Sequence, residues 1–248
     1  MFILGLEAGW HAYGKLRDDA DDGAETIGAS YIVAASLGLL SLVIGFTLAM
    51  SLDRYEIRRN LVVQEAGAIW TTWLRDQLLD EPFRGRLDAE LRDYVSERHT
   101  LASVGMSRKA LDAADQRVRA LQLKIWAETM TALRAPSAPA VTTSVLQATN
   151  DMFNLPATRR AALDAEVPHP VIWTLVLVAI IAATITGYGL AAGRHRHRAT
   201  SSAFFVSAAV VITLILELDQ PRSHLIGVPQ APIDRVADAI LKTPIAVR

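Results

Sequence analysis

Two stretches of this chain run for 27 residues without a charged side chain: Thr26 to Leu52, closed by Asp53, and Val167 to Gly193, closed by Arg194. A helix rises about 1.5 Å per residue, so roughly 20 apolar residues cross the ~30 Å hydrocarbon core of a bilayer. Water-soluble core helices rarely go so far without a charge. Both runs read as transmembrane helices with room to tilt. A third uncharged run, Ala199 to Leu216, is 18 residues long and follows the second after only Arg194-His195-Arg196-His197-Arg198. A short polar turn between two apolar helices reads as a hairpin through the membrane.

Composition agrees once its distribution is considered. Hydrophobic residues make up 51% of the 248 and charged residues 21%, with a mean hydropathy of +0.24. Such values fit apolar blocks separated by a charged one. Lys plus Arg number 25 against 26 Asp plus Glu, a net charge of −1, so there is no global basic field of the kind a nucleic-acid binder needs. Cysteine is absent, which excludes disulfides, Cys-ligated zinc, iron–sulfur clusters and thiol nucleophiles. The chain thus divides into an N-terminal segment (1–25), spans at 26–52, 167–193 and 199–218, an extramembrane block (53–166) and a C-terminal tail (219–248).

The block reads as helices throughout. Val62, Ala66, Ile69 and Trp73 fall on one helical stripe at offsets of four, seven and eleven, and Pro82 stops that helix. Nothing between Met50 and Ile57 signals a turn, so the helix is expected to continue unbroken from the first span. Leu87, Leu91, Tyr94 and Arg98 line a second helix. A third starts near Ser107 as N-cap and carries Leu111, Ala114, Val118, Leu121 and Ile125. Ala135-Pro-Ser-Ala-Pro139 is a linker, followed by short helices over 141–155 and 156–166, the second with Pro156 at its start. No alternating pattern of useful length appears, so the expected fold is all-α.

The segment Met1–Tyr13 is apolar but too short to span. A cleaved signal would carry its cations first, whereas Lys15 and Arg17 follow it. It is either an interfacial helix with Trp10 and Tyr13 at the headgroups or the remnant of a further span.

No catalytic pattern is present: no Walker A loop, GxGxxG, HExxH or GxSxG. No cofactor or metal is expected. His195 and His197 lie among three arginines and read as a solvated basic turn. Glu217 and Asp219 close the third span. Ionisable groups at that depth face either a bundle interior or the interface. Glu65 sits in Gln-Glu-Ala-Gly-Ala, where small neighbours admit a second helix, with Arg58 two turns back. It reads as a structural ion pair or, repeated in an oligomer, as part of a selectivity ring.

The segment Arg-Arg-Asn-Leu-Val-Val-Gln-Glu-Ala-Gly-Ala-Ile at 58–69, just after a span, resembles the bacterial bestrophin-like family. Asn150 with Arg159 before the second span, Pro168 and Trp173 at its opening, and Leu-Asp-Gln-Pro-Arg at 218–222 follow in the family's order. The similarity runs from about residue 4 to the C-terminus. His224 stands where the family usually has Gly, which puts the tight turn there in doubt. Family members typically have four spans, so the resemblance implies that the N-terminal segment is the tail of a truncated first one.

The name also implies kinship with pentameric anion channels. On that implication the expected protein is a multi-pass inner-membrane protein that contacts lipid, self-associates as a homo-oligomer, with a pentamer as the implied ring, and passes inorganic ions, anions in particular. Arg54, Arg58 and Arg59 would attract anions at the mouth. Glu65, Glu217 and Asp219 would pair with arginines to hold subunits in register, and Asn150, Arg159 and Arg222 complete the candidate set. The alternative is a non-conducting, membrane-anchored scaffold or sensor. Orientation is not fixed: the short basic loop 194–198 puts the block outside the cytoplasm, and the bestrophin analogy puts it inside.

Overall fold

The computed structural model describes residues 2–16, 22–103, 108–135, 139–192, 198–219 and 226–243. Among them regular structure is helical only: α1 (Phe2–Leu16), α2 (Asp22–Asp76), α3 (Phe83–Ser103), α4 (Arg108–Leu133), α5 (Pro139–Asp164), α6 (His169–Ala192), α7 (Arg198–Asp219) and α8 (Ala231–Lys242). The chain divides into two units, Met1–Tyr55 with Glu166–Ile226, and Glu56–Ala165 with Gly227–Arg248. The division falls inside α2, a single helix of 55 residues. As the lack of turn residues predicts, nothing interrupts it after Met50.

The first unit holds the three helices long and apolar enough to cross a membrane, within α2, α6 and α7. Their large side chains are mostly turned outward: Tyr31, Ile32, Leu42 and Phe46 on α2, Leu177 on α6, Val206 and Val210 on α7 are all exposed. In water such a surface would be untenable; in lipid, which is as apolar as leucine, it costs nothing. The protein is an all-α membrane protein. Its interior in this unit is small, built on Leu40, Ala179, Ala182, Ala183 and Phe205 with Leu6, Leu37, Ile44, Val178 and Ile212 around them.

Glycine sets the spacing there. A Cβ on Gly9 would overlap the Thr184 carbonyl oxygen of α6, and one on Gly187 would overlap the Leu6 carbonyl oxygen of α1. Gly5 faces the Ala183 methyl at 3.1 Å from where its own Cβ would lie. The backbones of α1 and α6 therefore meet with no side chain between them, the usual device where burial alone gives no force. Tyr13 closes the contact edge-on against Tyr188, with ring centroids 5.2 Å apart. The N-terminal segment is thus a helix packed against α6.

The second unit follows water-soluble rules. Ile69, Leu79, Leu87, Leu91, Tyr94, Val95, Val118, Ile125, Ala132, Val145 and Met152 form one core, and Val62 and Ala66 meet Ile233 in an adjoining cluster. The stripes expected on α2, α3 and α4 are those that bury, with Trp73 and Leu121 half-buried at their edges, Leu111 lying outside the residues whose side chains are described. The expected N-cap Ser107, the 194–198 turn with its two histidines, Arg222 and His224 lie outside the described residues.

One expectation needs correction. Pro156 does not begin a new helix but lies inside α5, which runs unbroken from Pro139 to Asp164. An interior proline costs about 3 kcal/mol through its missing N–H and ring clash. Val145, Ala148, Thr149 and Met152, buried before it, and Arg159, ion-paired after it, hold both halves on one axis. The segment read as a C-terminal tail carries α8, whose Ile233, Ala237 and Ile240 are buried. Arg92 of α3 donates to the Thr243 carbonyl at 2.8 Å and the Leu241 carbonyl at 3.3 Å. These satisfy carbonyls that a helix end otherwise leaves to water.

The glycine seam makes a direct prediction. Gly187→Ala should lower the melting temperature in mild detergent by at least about 3 °C, since overpacking costs roughly 1–3 kcal/mol. Gly14→Ala, with nothing within 4 Å of its Cβ position, should leave it unchanged or slightly raised. Equal melting curves for Gly187→Ala and the parent protein would show that the close approach of α1 and α6 carries no strain.

Candidate functional site: one carboxylate between two arginines

Glu65 lies on the buried stripe of α2, in register with Val62 and Ile69, and its side chain has 0% exposure. A carboxylate there must be neutralised or paired. It is paired twice. Arg98 of α3 donates from Nε to Oε1 and from Nη2 to Oε2, the latter at 2.9 Å, a bidentate fork. Arg159 of α5 donates from Nη1 to the same Oε2. The other Nη of Arg159 donates to Gln230 Oε1 at 3.1 Å, and the Gln230 amide donates on to the Val228 carbonyl at 2.8 Å. Gln230 is the residue preceding α8, so one acid organises four helices of this unit.

Burial alone would raise the Glu65 pKa, but Arg98 and then Arg159 overcome it and hold the carboxyl below its usual range. Arg98, itself buried, is held more firmly charged by Glu65 against the opposing effect of its own desolvation. Tyr94, one turn before Arg98, is buried, and that burial together with the Glu65 charge keeps its phenol protonated. The cluster at neutral pH is one anion and two cations. It does not exchange protons there; its chemistry is fixed positive charge.

Local sequence explains the arrangement. Ala66 and Ala68 flank Glu65 with little side-chain bulk, which leaves room for long arginines at its oxygens, whereas Gly67 is exposed and faces open space. Arg98 continues the Leu87–Leu91–Tyr94 stripe, so its guanidinium points inward with them.

Of the residues expected at a site, Glu65 and Arg159 are brought together. Both contacts of Glu65 are to arginines of its own chain. Arg58 is buried in the same unit, and Arg59 is exposed. Arg54 is half-buried in the first unit, and Asn150 is exposed on α5. Asp219, at the end of α7, is buried and accepts the Val167 amide at 2.8 Å, which ties down the chain before α6. Glu217 is half-buried one turn's edge away. Two members of the cluster, Arg98 and Gln230, escaped notice in the sequence. For Arg98 a signal exists: an arginine on an otherwise apolar stripe needs a buried counterion. For Gln230 none does. Among the described residues no group of three or more His, Asp or Glu could hold a metal.

Glu65→Gln leaves two arginines facing a neutral amide and should cost about 3–5 kcal/mol, the price of stranding buried charge. Because the Glu65 pKa is depressed, its contribution is present above the ordinary value of 4.5 and is lost as pH falls through the lower folded value. The gap in melting temperature between the parent and Glu65→Gln should therefore be full at pH 7 and shrink only in acid. Adding Arg98→Met and Arg159→Met to Glu65→Gln should recover part of the loss; no recovery would mean that the stranded charges are not its cause.

Comparison with known proteins gives one family. The Bestrophin-like domain matches residues 2–233. No curated protein matches the chain. Among solved structures, a point variant of a bacterial bestrophin homologue from Klebsiella pneumoniae is 15% identical with a TM-score of 0.71, over 97% of this chain and 96% of that one. A crystal structure of the Klebsiella pneumoniae bestrophin homologue phased by Zn-SAD is similar at 16% identity and a TM-score of 0.69, with coverage of 97% and 96%. A crystal structure described as a membrane protein variant gives 13% identity and 0.73, with the same coverage. Identities this low carry the fold alone, while the family match extends through the 58–69 segment, Asn150, Arg159, Pro168, Trp173 and the 218–222 segment. The chain belongs to the Bestrophin-like family of membrane proteins.

Proposed function

We propose that the protein is a homo-oligomeric, multi-pass anion channel of the inner membrane. The observation that supports this reading is the near full-length match to the Bestrophin-like domain, together with the likeness in fold to a bacterial bestrophin homologue. Charge placement is consistent with it. Arg54, Arg58 and Arg59 cluster within six residues of one another directly after the uncharged run of α2 ends at Leu52. Repeated around a symmetry axis, such arginines would raise the local anion concentration at a pore mouth. The Glu65–Arg98–Arg159 cluster adds one net positive charge per subunit behind them. Arg222 and Asn150 would belong to the same mouth or to subunit contacts.

A non-conducting scaffold is the second reading. It is favoured by the fact that Glu65 and Asp219, two acids expected to join subunits, are engaged within their own chain. The two readings differ in assembly, because a pore requires a closed symmetric ring and a scaffold does not.

Light scattering of the detergent-solubilised protein, corrected for bound detergent, is expected to give a discrete ring, on the order of five 27.0-kDa chains or about 135 kDa. A clean monomer or dimer would remove the channel reading. In liposomes, Arg54→Gln with Arg59→Gln, both outside the buried set, should reduce chloride over sodium permeability roughly fivefold. That is the effect of about 1 kcal/mol, the scale of one charge acting at 4 Å through water. Unchanged selectivity would remove these arginines from the ion path.

A further inference from the structure

The last residue of α2 carries a second buried acid that the Glu65 cluster does not use. Asp76 is 1% exposed, and among the described residues neither of its carboxylate oxygens has a hydrogen-bond partner. It lies well beyond the membrane-spanning run, 24 residues after Leu52 on the same helix. Its position at the C-terminal end of α2 sets it against the negative pole of the helix dipole.

The groups around it offer no cation. From α3 comes Asp88, also buried, whose Oδ1 accepts the Trp73 indole N–H at 2.8 Å and whose Oδ2 accepts Arg92 Nε at 2.7 Å. Arg92 is committed further to the carbonyls at the end of α8. From α5 there is no charged side chain between Pro139 and Asn150. Arg75, the neighbour on α2, sends its Nη1 to the Ser144 carbonyl of α5 at 2.9 Å. Near the end of α4, Glu128 is ion-paired with Arg86 of α3 at 3.3 Å, and Arg134 is exposed. Glu81 in the turn before α3 is held by Arg84.

We propose that Asp76 is a proton-binding site: seated in the closed α2–α3 corner it carries a proton, and losing that proton opens the turn at residues 77–82. The reasoning is geometric. An ionised carboxylate with two empty oxygens, no cation and a second carboxylate beside it is stable only if water reaches it. The shortest route to water is release of the turn, which is held by the Leu78 amide on the Arg75 carbonyl and the Leu79 amide on Asp76's own carbonyl. Burial, and then the Asp88 charge, push the Asp76 pKa up from 3.8 to about 7, which puts the transition in the physiological range. A folded pKa raised above the unfolded one means that the closed corner is fully favoured below pH 3.8 and loses that advantage as pH rises through about 7. Opening should grow up to tenfold per pH unit across that interval and level off above it.

The test is infrared difference spectroscopy of the whole detergent-solubilised protein between pH 5.5 and 8.5, with hydrogen exchange of the turn measured on the same samples. The expected result is a protonated-carboxyl band that disappears with a midpoint near 7, accompanied by a loss of protection at 77–82, exchange being taken relative to the intrinsic chemical rate at each pH. Both changes should be absent in Asp76→Asn, which keeps the neutral shape at every pH. Should Asp76→Asn fail to fold, Asp88→Asn supplies the second test: removing the neighbouring charge should move the midpoint to lower pH while the Trp73 contact survives. A parent protein with no carboxyl band titrating in this range overturns the proposal. So does a band that persists in Asp76→Asn, an unmoved midpoint in Asp88→Asn, or protection at 77–82 that ignores pH.

Discussion

Ionic pairing is directional in a way that apolar contact is not, and the helical block of this protein hangs on one instance of it. Glu65, Arg98, Arg159 and Gln230 come from positions far apart in the chain, yet the two arginines meet on a single pair of carboxylate oxygens and Gln230 joins them through Arg159. Leucines and valines on neighbouring helices can slide past one another at little cost. A bidentate guanidinium on a buried carboxylate cannot, because any slip strands charge in a low-dielectric interior. The cluster therefore fixes the rotation of α2, α3 and α5 more than it adds to their stability. It also carries Pro156 within an unbroken helix, since Arg159 is anchored three residues beyond it.

The two units solve the packing problem under different solvents. In the block outside the membrane, stripes of large apolar residues turn inward because water expels them, and the stripes identify the core. In the membrane unit that sorting force is missing. Phe46, Leu177 and Val210 face outward without penalty, and helices approach where side chains are smallest. Gly9 and Gly187 mark that approach between α1 and α6. Gly189 repeats it against α2, where a Cβ would lie 2.6 Å from a Val33 methyl.

What the sequence made legible follows from the same distinction. The spans were legible because absence of charge over 27 residues is a local property that no tertiary context can imitate. The helices of the block were legible through Val62–Ala66–Ile69 and Leu87–Leu91–Tyr94, whose spacing states which face is buried. The ends of elements were less so. Pro156 was taken for a start because local rules see the missing N–H and not the anchors on either side. α8 was missed although Ile233, Ala237 and Ile240 are spaced as a helix face, because twelve residues after several polar ones look like a tail until α3 is there to receive them. At the site, Glu65 and Arg159 could be singled out as charges in improbable company, but their mutual pairing is a long-range fact. Arg98 was counted among the apolar positions of its stripe, and that position is the reason it reaches Glu65.

Glu65 and Asp76 stand eleven residues apart on α2, an offset that brings them onto nearly the same face of the helix. Both are acids, both are buried, and the backbone under them is the same. Their surroundings set them in opposite states. Two arginines keep Glu65 ionised, and its contribution fails as pH falls. Asp76 is buried without a cation and meets another carboxylate, Asp88, so its neutral form is favoured and its contribution fails as pH rises through about 7. A single stripe thus carries two opposed titrations, and the two groups together favour the folded block most near the ordinary carboxylate values of 3.8 to 4.5, where Glu65 is ionised and Asp76 has barely begun to lose its advantage. Neither group alone produces that optimum. It arises because one helix presents one acid to cations and the next to an anion.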